Sequence, residues 1–122
     1  MSWSKSLLLV SALTLFSGMA YAEKITCPDF LQVKNKPHRL KNVSLFLGPP
    51  QQLGELMPDT QNKTEWTLED YQDYAGEEEM PLFLVCRYNG TDKAVTIKVP
   101  DTAKVCSAWY GNGKEDVHAS CE

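Results

Sequence analysis

The sequence predicts a mainly β fold, a single small antiparallel sheet or sandwich with little helix, held by two disulfides. Three observations predict it. Runs of strand-forming residues alternate with glycine- and proline-rich breaks from Val43 onward. Two turn signals, Asn89-Gly90 and Gly111-Asn112-Gly113, each sit between such runs. All four cysteines (Cys27, Cys86, Cys106 and Cys121) follow what reads as an export signal.

That signal occupies residues 1–22. Lys5 supplies a positive charge, Leu7 to Phe16 form an apolar run broken only by Ser11 and Thr14, and Ala20-Tyr21-Ala22 places small residues where signal peptidase requires them. The run is shorter than the roughly 20 apolar residues of a membrane span. Cys27 is too far from the cleavage point to carry a lipid anchor. Residues 23–122 are expected to form one domain, free of the membrane once the signal is removed. A chain of this size buries a modest core and gains from covalent closure. An even number of cysteines in an exported chain points to disulfides. The close C-x2-C pairs of structural zinc sites are absent from the sequence.

Within the domain, Val43, Leu45 and Leu47 alternate with Ser44 and Phe46, the period of a strand. Gly48-Pro49-Pro50 ends it, because proline cannot donate to a ladder. Gln51 to Met57 reads as a short helix stopped by Pro58-Asp59. Thr64 to Leu68 is open to two readings. It forms a strand with Trp66 and Leu68 inward, which is preferred, or it opens a helix to Tyr74 capped by Thr67 with Asp70 three residues on. Ala75 to Pro81 reads as a charged surface loop.

Leu82 to Tyr88 is rich in strand formers, and Asn89-Gly90 is a strong hairpin signal. A two-residue turn there pairs Leu84 with Val95, Leu82 with Ile97 and Arg87 with Asp92. Trp66, Leu84, Val95 and Ile97 are expected to share the core. Pro100 ends the returning strand. Lys104 to Tyr110 and Asp116 to Cys121 form a second hairpin. Centring its turn between Gly113 and Lys114 sets Cys106 opposite Cys121, Ala108 opposite Ala119 and Tyr110 opposite Val117. Directly opposed residues have the close Cβ atoms a disulfide needs. Cys106–Cys121 with Cys27–Cys86 is therefore the preferred one of three connectivities.

The formal charge is −4, and −5 once Lys5 leaves with the signal. An acidic chain is a poor candidate for nucleic acid, which calls for a basic surface. The charge is uneven. Lys24, Lys34, Lys36, Arg39 and Lys41 make the front basic. Glu65, Glu69, Asp70, Asp73, Glu77, Glu78 and Glu79 make the middle acidic. That acidic run lacks the spacing of a calcium loop. Ser107, His118 and Asp116 assemble a catalytic set only on paper, with no nucleophile motif behind it. No catalytic residue, metal or cofactor is therefore expected, and the chain is not expected to be an enzyme. The expected contact surface for a protein partner is Tyr71, Asp73, Tyr74, Glu77, Glu78 and Glu79, where aromatic residues adjoin carboxylates able to steer a basic partner.

Several stretches together resemble a known family. They are Ile25-Thr26-Cys27-Pro28, then His38-Arg39-Leu40 through Val43 and Phe46 to Gly48-Pro49-Pro50, then Leu56-Met57-Pro58-Asp59 and Trp66. Leu84-Val85-Cys86-Arg87-Tyr88, Gly90-Thr91, Val99-Pro100, Cys106 and Cys121 complete the series. In order and spacing they are similar to a family of small, mostly uncharacterised, disulfide-containing periplasmic proteins of Gram-negative bacteria. Some members are encoded near type VI secretion genes. The resemblance implies a periplasmic protein-binding module, an immunity protein or inhibitor of a secreted cell-wall-targeting enzyme, and the acidic charge of the chain adds the expectation that its partner is a basic toxin or wall hydrolase. The alternative is a structural or accessory envelope protein without inhibitory activity. The acidic stretch from Glu65 to Glu79 and the short final hairpin depart from the family pattern, so the relatives' partner is not carried over to this chain.

Overall fold

The computed structural model describes residues 24–60 and 63–122. The expected signal, its cleavage point and Glu23 lie outside the described residues. Among the described residues, nine strands form two antiparallel sheets. They are β1 (Ile25–Thr26), β2 (Phe30–Val33), β3 (Lys36–Leu47), β4 (Glu55–Leu56), β5 (Thr64–Thr67), β6 (Leu82–Tyr88), β7 (Ala94–Lys98), β8 (Val105–Tyr110) and β9 (Val117–Cys121). The first sheet has the order β1-β9-β8-β5, and the second β2-β3-β6-β7, with β4 also paired to β3. A single α-helix among the described residues, α1 (Glu69–Glu78), follows β5 directly.

Side chains of both sheets make one core, which includes Leu40, Leu45, Trp66, Leu84, Val99 and Ala119. Leu40 and Leu45 are both fully buried although they stand five positions apart. A regular strand alternates its faces and would turn one of the two outward. The register against β6 shifts between Leu40, opposite Tyr88, and Asn42, opposite Arg87. The extra residue, a β-bulge, brings both leucines to the same face. Lys41 and Asn42 are left exposed side by side at the bulge.

The disulfides are Cys27–Cys86 and Cys106–Cys121, the connectivity preferred from the sequence. Cys106–Cys121 links directly opposed residues of β8 and β9. Cys27 follows β1 and Cys86 lies in β6, so the second bridge joins the two sheets. Two partly buried hydrogen bonds reinforce that join. Trp66 Nε1 donates to the Leu56 carbonyl at 2.9 Å, and Tyr88 Oη donates to the Pro28 carbonyl at 2.7 Å. Burial, and secondarily the charge of Asp29, pushes the Tyr88 phenol above its ordinary pKa.

The β8–β9 hairpin has the expected register throughout, with Ala108 opposite Ala119 and Tyr110 opposite Val117. The β6–β7 hairpin does not. Leu84 faces Ile97, Cys86 faces Val95 and Arg87 faces Ala94, a slip of two residues from the expected pairing. A slip of two preserves which side chains face inward. Its cause lies on β3. The Asn89 N–H donates to the Arg39 carbonyl at 2.9 Å, and the Asn89 carbonyl lies 2.7 Å from His38 Nδ1. Asn89 therefore extends the β6–β3 ladder while it turns the chain with Gly90, and the connection lengthens to a loop from Asn89 to Lys93, with Gly90 at φ 78°. Trp66 and Leu84 are buried, whereas Val95 and Ile97 are half-buried against the same core.

Two further expectations need correction. Gln51 to Met57 is not a helix. A 3-10 turn covers Pro50–Gln52, Leu53 turns the chain at φ 62°, and β4 then pairs with β3. Gly54 passes so close to the Leu47 carbonyl that a Cβ would meet it at 2.6 Å, while Leu47 N–H donates to Gly54. Around Trp66, the strand and the helix both form, one after the other. Thr67 belongs to β5, and Leu68, fully buried, occupies the helix entrance without a side-chain cap. The stretch expected to be a loop from Ala75 is helical to Glu78 because Ala75 is buried and Tyr71 packs on the core. Burial of an apolar helix face commonly outweighs local propensity.

Candidate functional site

The acidic residues of the expected contact surface sit on and after α1. Gln72 anchors the helix, donating from Nε2 to the carbonyls of Pro100 (3.0 Å) and Ala103 (3.1 Å). Tyr71 and Ala75, four residues apart, turn toward the protein. Asp73, Tyr74, Glu77 and Glu78 are exposed, Tyr74 by 48 %. Glu79 follows at φ 54°, a left-handed position at the helix end. Tyr71 is thus drawn inward, away from the other five residues of the expected surface. Asp73 and Glu77 stand four apart, a spacing at which like charges repel on a helix. Glu77 and Glu78 also face the negative end of the helix dipole. The ion pairs among the described residues do not involve α1.

A second cluster surrounds Asp116. Its Oδ2 accepts the Asn112 backbone N–H at 2.7 Å, and its Oδ1 lies 3.1 Å from the Arg39 guanidinium and 2.8 Å from His118 Nε2. The Asn112 N–H first, then Arg39 and His118, hold the Asp116 carboxyl below the usual carboxylate range despite partial desolvation. The Gly111–Asp116 loop packs onto this carboxylate, and a Cβ at Gly111 would collide with it. His118 Nδ1 lies 3.4 Å from Asp29, and its ring stacks on Trp109 at 5.9 Å. Arg39 lies over the Phe30 ring at 5.6 Å. The basic front of the chain and the final hairpin loop, far apart in sequence, therefore meet here.

This arrangement does not equip Ser107 as a nucleophile. Both ring nitrogens of His118 face carboxylates, and Ser107 stands opposite Ser120 in the ladder. No group of three or more His, Cys, Asp or Glu among the described residues is placed to hold a metal ion.

Beside the Asp116 cluster lies an open groove of about 640 Å³. Lys41, Asn42 and Val43 of the β3 bulge form one wall, and Thr64 and Glu65 of β5 contribute to another. Trp109 and Tyr110 of β8, exposed by 46 % and 63 %, complete it. Sequence reasoning missed this site because its walls come from four separate strands. Two adjacent aromatic residues at the end of a short strand were the one local signal.

A family model described as "Type VI secretion system Tli immunity protein" matches residues 34–122. No curated protein and no solved structure matches the chain. No helix among the described residues is long and apolar enough to cross a membrane.

Proposed function

The chain belongs to the type VI secretion system Tli immunity protein family, and from that membership we propose that it protects its own cell by binding and neutralising a toxin that this secretion system delivers. The family match is the observation that carries the proposal. It runs from the β2–β3 turn to the last residue and so takes in β3 through β9. In this reading residues 1–22 direct export and are removed, and residues 23–122 act as one domain in the periplasm. Two disulfides suit an oxidising compartment. A preformed surface on a covalently braced scaffold loses little entropy on binding.

The finer form of the proposal concerns the toxin and its first contact. A basic enzyme acting on the cell wall suits the acidic face of α1. Asp73, Tyr74, Glu77, Glu78 and Glu79 project there without an ion-pair partner among the described residues. Exposed charges of this kind raise association rates more than they hold a complex.

Competition between sister strains tests the proposal. A strain lacking this gene should be killed by its parent only while the parent's secretion system is active, and plasmid-borne full-length protein should restore survival. Survival of the deletion strain beside an active parent would overturn the reading. Wall hydrolysis by the purified toxin, measured with and without this protein, tests the finer form.

A further inference from the structure

The groove beside Trp109 adjoins a gap in the second sheet. On the edge of β3 opposite β6, β2 pairs with Lys36–Arg39 and β4 pairs with Leu45–Phe46. The Leu40 N–H donates to the Asp29 carbonyl at 2.9 Å. Among the described residues, no strand pairs with Lys41–Ser44 on that edge. Four residues of strand span roughly 13 Å at about 3.3 Å each, room for a short extended segment. The neighbouring edge of β5 is closed differently, because Asp59 N–H donates to the Glu65 carbonyl and Asp59 Oδ2 accepts the Thr67 N–H.

Native proteins guard open strand edges with lysines, bulges and covering loops. A lysine and a bulge are both present here, so edge protection is the competing explanation. It does not account for the aromatic residues. Trp109 and Tyr110 are exposed by 46 % and 63 % at the groove, whereas β7, one outer strand of the second sheet, carries none of the large exposed apolar side chains, and β2, the other, carries Phe30, whose ring lies under the Arg39 guanidinium. Val43, Ala108 and Val117 add apolar lining. The charge of the lining is reversed from that of the chain. Lys41 and Lys63 contribute two positive charges against Glu65 alone, in a protein of net charge −4.

The geometry points to this groove as the seat of an extended, carboxylate-bearing segment of the toxin, which pairs with β3 at Lys41–Ser44 and places an apolar side chain against Trp109 and Tyr110. This inference rests on the immunity reading and names the surface that grips the partner. Main-chain hydrogen bonds supply affinity in such strand addition, and the flanking side chains supply selectivity. The lysines select a carboxylate, and the stack of Trp109 on His118 holds the indole in place before the partner arrives.

The test uses the purified, disulfide-bonded protein and its purified cognate toxin. Trp109→Ala should weaken the complex by about 30-fold or more, the size of a binding hot spot. Lys41→Glu should slow association. Amide hydrogen exchange across Lys41–Ser44 should slow in the complex of the unaltered protein. A Trp109→Ala variant with wild-type far-ultraviolet dichroism that binds as tightly as wild type would overturn the groove, as would unchanged exchange at Lys41–Ser44. Failure of the wild-type protein to form any complex would overturn the immunity reading itself, and is distinguishable because no variant is needed to see it.

Discussion

Arg39 and Asp116, 77 positions apart in the chain, are joined by an ion pair of 3.1 Å. The pair ties β3 of one sheet to the loop entering β9 of the other, beside His118 and Trp109. It also sets how this surface responds to acid. The Asp116 carboxyl is held below its ordinary range in the fold. Its contribution to stability is complete above the ordinary carboxylate pKa of about 3.9 and is lost as pH falls through the lower folded value. Urea unfolding measured between pH 7 and pH 2 should show a steeper acid loss for wild type than for Asp116→Asn. Parallel curves would remove Asp116 as a contributor.

The two disulfides should differ in weight. Their cysteines are 59 and 15 residues apart in sequence, and closure of the longer loop restricts the unfolded chain more. The chain-entropy relation gives about 4 kcal/mol for Cys27–Cys86 and about 3 kcal/mol for Cys106–Cys121. Chemical denaturation of the paired Cys→Ala variants should show the inter-sheet variant to be the less stable. The reverse order would mean that native packing, rather than loop closure, governs.

Leu84→Ala should destabilise the protein by about 2–5 kcal/mol, the range for truncating a buried leucine. Leu84 is 1 % exposed and faces Ile97 across β6–β7. An unchanged melting temperature would place Leu84 outside the core.

Replacing Glu77, Glu78 and Glu79 with Gln should slow association with a basic toxin and flatten its salt dependence, with dissociation little changed. Stopped-flow association across ionic strengths measures this. Unchanged kinetics in a variant that still binds would remove α1 from the encounter surface.

What was legible in the sequence was local. The β8–β9 hairpin could be read to the residue because its turn signal and its two cysteines agree on one register. The β6–β7 hairpin could not, because its turn residue Asn89 is claimed by His38 and Arg39 on a strand about fifty positions earlier. The length of α1 was hidden for a similar reason. Its carboxylates suggest a loop, and only burial of Ala75 and Tyr71 against the core makes it a helix. The acidic surface was visible as a composition bias, whereas the groove was not. Lys41 reaches it through a bulge that no periodicity announces, and Trp109 and Tyr110 arrive from a different sheet.

Binding of the purified, disulfide-bonded protein to its cognate toxin bears most directly on its role as an immunity protein. Isothermal titration should give a one-to-one complex with a dissociation constant on the order of nanomolar, as for rigid protein inhibitors with interfaces of ordinary size, together with loss of the toxin's activity at equivalence. A toxin that keeps full activity beside excess folded protein, with no heat of binding, would contradict it.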